Sequence, residues 1–386
     1  MKILLINYEY PPLGGGGGVS SQKLAEEWAK NNEVDVITSN FNGLKEFEII
    51  NNVNIHRVKV IGRKHLDVAS LPSLLSFVPS AKKKIKDLSY KKKYDVINTH
   101  FAVPSGPVGL WAQKILNIPN ILSIHGGDIY DPTKKLSPHK FPILRTYVKH
   151  ILKSSYQIVA QSRNTAENAI KFYKINNKID IIPLGFKPVQ IKNKKREELR
   201  LKEDIFYIIS VGRLVERKGL LYLIESLSYL EDNIHLIIVG DGPLRGRLEK
   251  LSEEKGLKER VIFTGRLDEE KKFSFLKASD IYVLSSIHEG YGIVLQEAMY
   301  AGLPIVATNN GGQTDFIKDG ENGFLIPIKD SLAIAEAVKK IYSNKSLREK
   351  MIEINKEEIK DYFIDKIAKK YIELFENCIK NFKNKF

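Results

Sequence analysis

The chain has a single cysteine, Cys378, in 386 residues. That excludes a disulfide framework and any zinc site built on cysteine, and it agrees with a reducing compartment. No stretch approaches the roughly 18 consecutive apolar residues of a membrane-crossing helix. The opening run MKILLIN gives way at once to Tyr8, Glu9, Tyr10 and two prolines. It is too short for the apolar region of a secretory signal and lacks a small-residue cleavage site, so the expected location is the cytoplasm. Acidic residues are in deficit: 46 against 61 Lys and Arg leaves a net charge of +15. Such a chain favours anions, whether phosphate esters, nucleic acid or an acidic membrane. Nucleic acid is the weakest of these, because no recognition motif or aromatic–basic platform is present. The 43% hydrophobic content is enough for sizeable cores, and the length fits two or three domains.

Short apolar runs alternate with amphipathic stretches. KILLIN (2–7) is apolar from Ile3 to Ile6, as a strand covered on both faces would be. Residues 19–30 read as a helix, with Leu24 and Trp28 four apart. Strands are expected at 34–39, 54–60, 95–100, 120–126, 157–162 and 179–183. Residues 187–204 are charged, carry no apolar period and read as a linker. A second series follows at 205–212, 235–240, 261–265, 281–286 and 304–308, and the remainder from about 329 is helical. This βαβ alternation predicts an α/β protein of two Rossmann-like, doubly wound domains facing each other across a cleft. The expected division is 1–187, a linker at 188–204, and 205–360, with a C-terminal helix at about 361–386 packing back on the first domain.

In open α/β sheets ligands bind beyond the carboxyl ends of the strands, and the informative residues fall there. Gly14 to Gly18 follow the first strand and open a helix. They strip side chains from its N-terminus, where backbone N–H groups favour an anion or polar ligand. The spacing is not a dinucleotide fingerprint, because Pro11 and Pro12 intervene. His125-Gly126-Gly127-Asp128 ends the strand NILSIHG, with His100 ending a neighbouring one. An imidazole there can meet a phosphate or sugar oxygen. In VGRLVERKG (211–219), Arg213 and Lys218 lie five apart in a loop that opens a helix, fitted to clamp a diphosphate. Gly240-Asp241-Gly242-Pro243 reads on its own as a tight turn. Glu289 lies in a loop and Glu297 eight residues on, inside the next helix. A carboxylate there needs hydroxyl partners such as those of a sugar. Gly290, Tyr291, Gly292 and Ile293 offer main-chain donors at that helix start.

These residues in this order resemble the retaining glycosyltransferases of family 4, which have the GT-B fold. The likeness runs nearly the whole length: Gly14–Gly18, His125-Gly126, VGRLVERKG, GDGP (240–243), FTGR (263–266), the Glu289/Glu297 pair, and Gly311-Gly312. It implies transfer of a hexose from a GDP- or UDP-sugar to a hydroxyl, with anomeric configuration retained. It also implies a role for each matching residue. Arg213 and Lys218 would bind the donor diphosphate, and Gly240 and Arg266 would also belong to the donor-binding set. Glu297 would bind ribose, and Glu289 and the amides of 290–293 the donor sugar. His125 would lie beside the transferred sugar, and Gly15, Gly16 and Gly17 would approach the phosphates or the acceptor. His125, Glu289, Arg213 and Lys218 are thus the expected catalytic set. Neither a cofactor nor a metal is expected: Asp128 and Asp131 are not spaced as a metal-binding D-x-D. The chain departs from the family pattern at Pro183-Leu184-Gly185-Phe186-Lys187 and at Asp315, where relatives carry Pro-Asn-Gly-Val-Asp and Glu.

The acceptor reads as a glycan, a lipid-linked sugar or a small molecule. Residues 66–93 join an apolar segment to seven lysines between Lys82 and Lys93. Two readings stay open there: contact with an anionic inner membrane face, or a solvated helix face in a lysine-rich chain. Rival functions are a nucleotide-sugar epimerase and a non-catalytic nucleotide-sugar binder of the same fold.

Overall fold

The computed structural model describes residues 1–66, 69–133, 137–190 and 194–384. The chain divides into two compact units, Met1–Lys187 with Phe363–Phe386, and Pro188–Tyr362.

The first unit runs β1 (Lys2–Ile6), α1 (Gly16–Trp28), β2 (Glu33–Ser39), β3 (Phe47–Ile50), β4 (Val53–Val58), α2 (Leu71–Ser89), β5 (Val96–His100), α3 (Gly106–Leu116), β6 (Asn120–Ile124), α4 (Pro142–Ser154), β7 (Gln157–Ala160), α5 (Arg163–Tyr173) and β8 (Ile179–Ile181). Its sheet order is β3-β4-β2-β1-β5-β6-β7-β8, parallel except where β3 meets β4. Ile3, Leu4, Leu5 and Ile6 are fully buried, because β1 is central and covered on both faces.

The second unit runs β9 (Phe206–Val211), α6 (Leu220–Ser226), β10 (Ile234–Val239), α7 (Arg245–Glu254), β11 (Val261–Gly265), α8 (Glu269–Ala278), β12 (Ile281–Leu284), α9 (Ile293–Ala301), β13 (Ile305–Thr308), β14 (Gly323–Ile326), α10 (Ser331–Ser343) and α11 (Lys345–Glu358). Its sheet order is β11-β10-β9-β12-β13-β14, all parallel. Both sheets reverse strand order beside their first strand, which sets a ligand crevice at the carboxyl ends of β1 and β9.

The last helix, α12 (Ile364–Lys383), belongs to the first unit. Ile364, Ile367, Ala368, Tyr371, Phe375 and Cys378 recur at helical spacing and are buried. They pack on α1, where the Trp28 indole donates to the Ala368 carbonyl at 3.2 Å. Its ring meets Tyr371 and Phe375 edge-on at 5.6 and 5.2 Å. Truncating Phe375 to Ala would cost about 3–5 kcal/mol.

Four details differ from the sequence reading. Helix α1 begins at Gly16, not at residue 19, so three glycines form its first turn. The edge strand β3 carries mostly exposed side chains and joins β4 through Asn51 and Asn52, both at positive φ, so burial leaves no apolar period to read. Strand β14 is four residues long and opens on a glycine. The segment read as a linker is built into the second unit. The Arg196 guanidinium donates to Asp280 at 2.8 Å and to the carbonyls of Ala278 and Ile205, and Leu201 is buried. A charged side chain does the anchoring, which is why apolar periodicity does not reveal it; residues 191–193 of that segment lie outside the described residues.

Candidate active site

In the second unit the exits of β9, β12 and β13 converge. Gly219, at φ +60°, lets the loop after β9 pass over the exit of β12; a Cβ there would lie 2.2 Å from the Ser285 carbonyl oxygen. The loops are joined by Ile287 N–H to the Arg217 carbonyl at 2.8 Å and Ser285 Oγ to the Lys218 carbonyl at 3.0 Å. Gly312 N–H donates to the Glu289 carbonyl at 2.8 Å, so the loop after β13 holds the backbone of Glu289.

This frame places one carboxylate among cations. Glu289 is buried, and Lys218 Nζ lies 2.6 Å from its Oε1. Ser286 Oγ donates to the same oxygen at 2.8 Å, and Arg217 lies 3.6 Å from Oε2. Burial alone would raise the carboxyl's pKa. The charges of Lys218 and Arg217, with hydrogen bonds from Lys218 and Ser286, outweigh burial and hold it at about 2. Glu289 is therefore an anion at every physiological pH. Beside it Gly290, Tyr291 and Gly292 lead into α9, whose first amides at Ile293 and Val294 have no earlier turn to bond. The Tyr291 side chain turns away into the core, where its hydroxyl accepts from Gln296 at 2.9 Å, so only its main chain borders the crevice.

Other expected residues sit around this cluster. Arg213 is exposed just beyond β9. Glu297, one turn into α9, meets Lys272 of α8 at 2.7 Å. Gly240 permits a close backbone approach, since a Cβ there would lie 2.0 Å from the Gly212 carbonyl oxygen. Arg266 follows the edge strand β11, two strands from β9. Sequence reasoning does not single out Arg217 and Lys272. Arg217 stands beside Lys218 in the motif, whereas Lys272 comes from a different helix and leaves no local signal.

The first unit gathers a second cluster. Asn98, on β5, donates through Nδ2 to the Ile121 carbonyl at 3.1 Å, which fixes its amide orientation. Its Oδ1 lies 2.7 Å from His100 Nε2, so that nitrogen carries the proton. Burial pushes His100 down to about 3, so its ring is neutral and Nδ1 is an acceptor. His125 Nε2 lies 2.8 Å from His100 Nδ1 and is consequently protonated. Burial first, and His100 second, depress His125 well below 6.5, so it too is neutral. Its remaining lone pair is on Nδ1. Gln161 Nε2 lies 3.0 Å from His125 Nε2; with that imidazole nitrogen protonated, the amide is assigned flipped end for end, so that its oxygen accepts there. Phe101 stacks on the imidazole at 4.2 Å between ring centres. Gly17 closes the cluster, since a Cβ there would fall 2.4 Å from Phe101 Cζ and 3.4 Å from His125 Nδ1. Gly15 and Gly16 face open space. His125 thus presents an acceptor beside the glycine-rich start of α1.

Asp128 is structural: its carboxylate accepts from the backbone of His125 at 2.9 Å and of Ala102 at 2.7 Å. Among the described residues no three metal-ligating side chains cluster, and no helix is long and apolar enough to cross a membrane. In the lysine-rich segment, Lys92 is held by Glu33 and by Asp35 at 2.6 Å, and Lys82 lies over the Trp111 ring; residues 67 and 68 lie outside the described residues.

Two Rossmann-like units, each with polar groups collected at the carboxyl edge of its sheet, define the GT-B class of transferases. Comparison with known proteins agrees. Residues 14–189 match the Glycosyltransferase Family 4 model and residues 191–358 the Glycosyl transferases group 1 model. An uncharacterised glycosyltransferase of Methanocaldococcus jannaschii is 31% identical over 97% of this chain and 98% of its own. Sucrose-phosphate synthase from Thermosynechococcus elongatus shares the fold at TM-score 0.84 and 24% identity, over 98% of each chain. Anabaena HepE, solved in complex with UDP, does so at TM-score 0.78 and 20% identity, over 98% of this chain and 100% of that one. The chain belongs to the group 1, family 4 glycosyltransferases.

Proposed function

We propose that the protein moves a hexose from a nucleoside-diphosphate sugar, a UDP- or GDP-sugar, to a hydroxyl of a glycan, lipid-linked or small acceptor, with retention of configuration. The observation that carries this reading is Glu289, held ionised by Lys218, Arg217 and Ser286 beside the open amides of α9. UDP bound to a protein of the same fold supports a nucleotide donor.

Lys218 and Arg213 take the diphosphate, whose negative charge grows as the glycosidic bond breaks. The α9 amides add their dipole to that stabilisation. Glu289 accepts hydrogen bonds from donor-sugar hydroxyls, and Glu297 from the ribose. The neutral His125 accepts at Nδ1 from a substrate hydroxyl. The departing phosphate, on the same face as the incoming hydroxyl, takes its proton, so the new bond forms on the face the old one left. In the second unit Arg266 and Gly240 belong to the donor-binding set, and in the first unit Gly15–Gly17 leave room for a substrate group at the start of α1. No step is assigned to a metal ion.

A thermal-shift screen with UDP, GDP, ADP and their sugar conjugates tests the donor reading on wild type and Lys218→Ala. One nucleotide family raises the wild-type midpoint and the gain is lost in the variant. Absence of a shift with every nucleotide would contradict it.

A further inference from the structure

Helix α4 has an apolar stripe that its own unit does not use. Leu144, Val148, Ile151 and Leu152 face the core. Ile143, Thr146, Tyr147 and His150 recur at i, i+3, i+4 and i+7 on another face and line one shallow surface depression with Pro142. Ile143 is 88% exposed, Tyr147 45%, and Phe141, just before the helix, 41%. Burial against the rest of the protein is the usual fate of such a helical stripe. Here it stands outside.

The flank of this stripe is basic. Arg145, Lys149 and Lys153 follow at four-residue spacing and form a row along the helix, with Arg145 and Lys153 exposed and Lys149 half-buried between them. No Asp or Glu occurs between Asp131 and Glu167. Apolar and cationic groups therefore share the same turns. Helix α2 is less suited: the exposed Tyr90 that caps it stands beside Lys86, but the exposed Asp87 shares that turn. Its exposed leucines, Leu71 and Leu75, precede its exposed Lys83 and Lys86 by about 12 Å or more along the axis.

We propose that the outer face of α4 seats the first unit on an anionic phospholipid surface, with Phe141, Ile143 and Tyr147 in the headgroup–acyl boundary and Arg145, Lys149 and Lys153 on the lipid phosphates. Aromatic and aliphatic side chains beside a cationic row suit that boundary. Self-association through this face is disfavoured, since two copies would bring their basic rows together. The placement also has a use. Helix α4 begins at the carboxyl edge of the sheet, following the loop that opens with His125, so a lipid-linked hydroxyl would arrive on the side of the sheet where that imidazole lies. The surface argument does not depend on the transfer reaction.

Vesicle flotation of the whole protein tests it. The protein should float with vesicles of equimolar phosphatidylcholine and phosphatidylglycerol, and not with phosphatidylcholine alone. High salt should release it. Arg145→Gln/Lys149→Gln/Lys153→Gln should weaken partitioning on the order of a hundredfold at low salt. Ile143→Ser/Tyr147→Ser should also abolish flotation, while Lys83→Gln/Lys86→Gln on α2 should float as wild type does. If the serine variant melts early, the glutamine variant decides, because it removes nothing from the core. Absence of flotation, wild-type flotation of the α4 glutamine variant, or loss in the α2 variant would overturn the proposal. So would a dimer in sedimentation that Ile143→Ser dissolves. Nucleotide thermal shifts on the same samples keep this outcome separate from the donor reading.

Discussion

Replacing Glu289 by Gln should remove a pH-dependent share of the second unit's stability. The carboxyl is buried and held at about 2, against 4.5 when free. That difference corresponds to roughly 3 kcal/mol in favour of the folded state. The pKa is lowered by folding, so the contribution is fully present above 4.5 and is lost as pH falls through about 2. The substituted amide would be neutral at every pH and would leave Lys218 and Arg217 facing no anion. Wild type should therefore exceed Glu289→Gln by roughly 3 kcal/mol at neutral pH, with about half of that gap remaining near pH 3. Urea unfolding followed by far-UV circular dichroism measures it. Tryptophan fluorescence would miss the effect, since the two tryptophans, Trp28 and Trp111, both lie in the first unit. A gap that is the same at both pH values, or below about 1 kcal/mol at neutral pH, would refute the ion-pair account.

Arg213→Ala or Lys218→Ala should lower kcat/KM by roughly a hundred- to a thousandfold in a coupled nucleotide-release assay, if each cation stabilises the leaving diphosphate. His100→Phe, which removes the acceptor for His125 Nε2–H, should lower kcat with little change in donor KM. Nitrogen NMR of the wild type should show His125 protonated on Nε2, and its activity should show no inflection near pH 6.5 from this residue, because burial keeps it neutral far into acid. Gly16→Ala, in open space, should be neutral or stabilise by about 0.5–1 kcal/mol. Gly17→Ala should destabilise and impair turnover, since its methyl would strike Phe101.

Much of this is legible in the chain because the signals are local. A strand covered on both faces writes an unbroken apolar run, as Ile3–Ile6 of β1 and Leu236–Val239 of β10 do, and Lys218 and Glu289 stand in loops whose glycines mark close backbone approach. What stays hidden depends on partners far apart in sequence. Asn98, His100, His125 and Gln161 meet only because β5, β6 and β7 are neighbours in the sheet, so no spacing along the chain announces the relay. The start of α1 is displaced in the sequence reading because glycine's low helix propensity says nothing of the packing that overrides it. The segment holding Arg196 escapes for the opposite reason: its anchor is a hydrogen-bonded guanidinium, which hydrophobic periodicity does not register.

Proton NMR of the glycosidic product tests the central claim most directly. The donor identified by thermal shift, incubated with enzyme and an acceptor hydroxyl, should yield a linkage of the same anomeric configuration as the donor, and Glu289→Gln should make far less of it. Inversion at the anomeric carbon, or wild-type product formation by Glu289→Gln, would contradict the account.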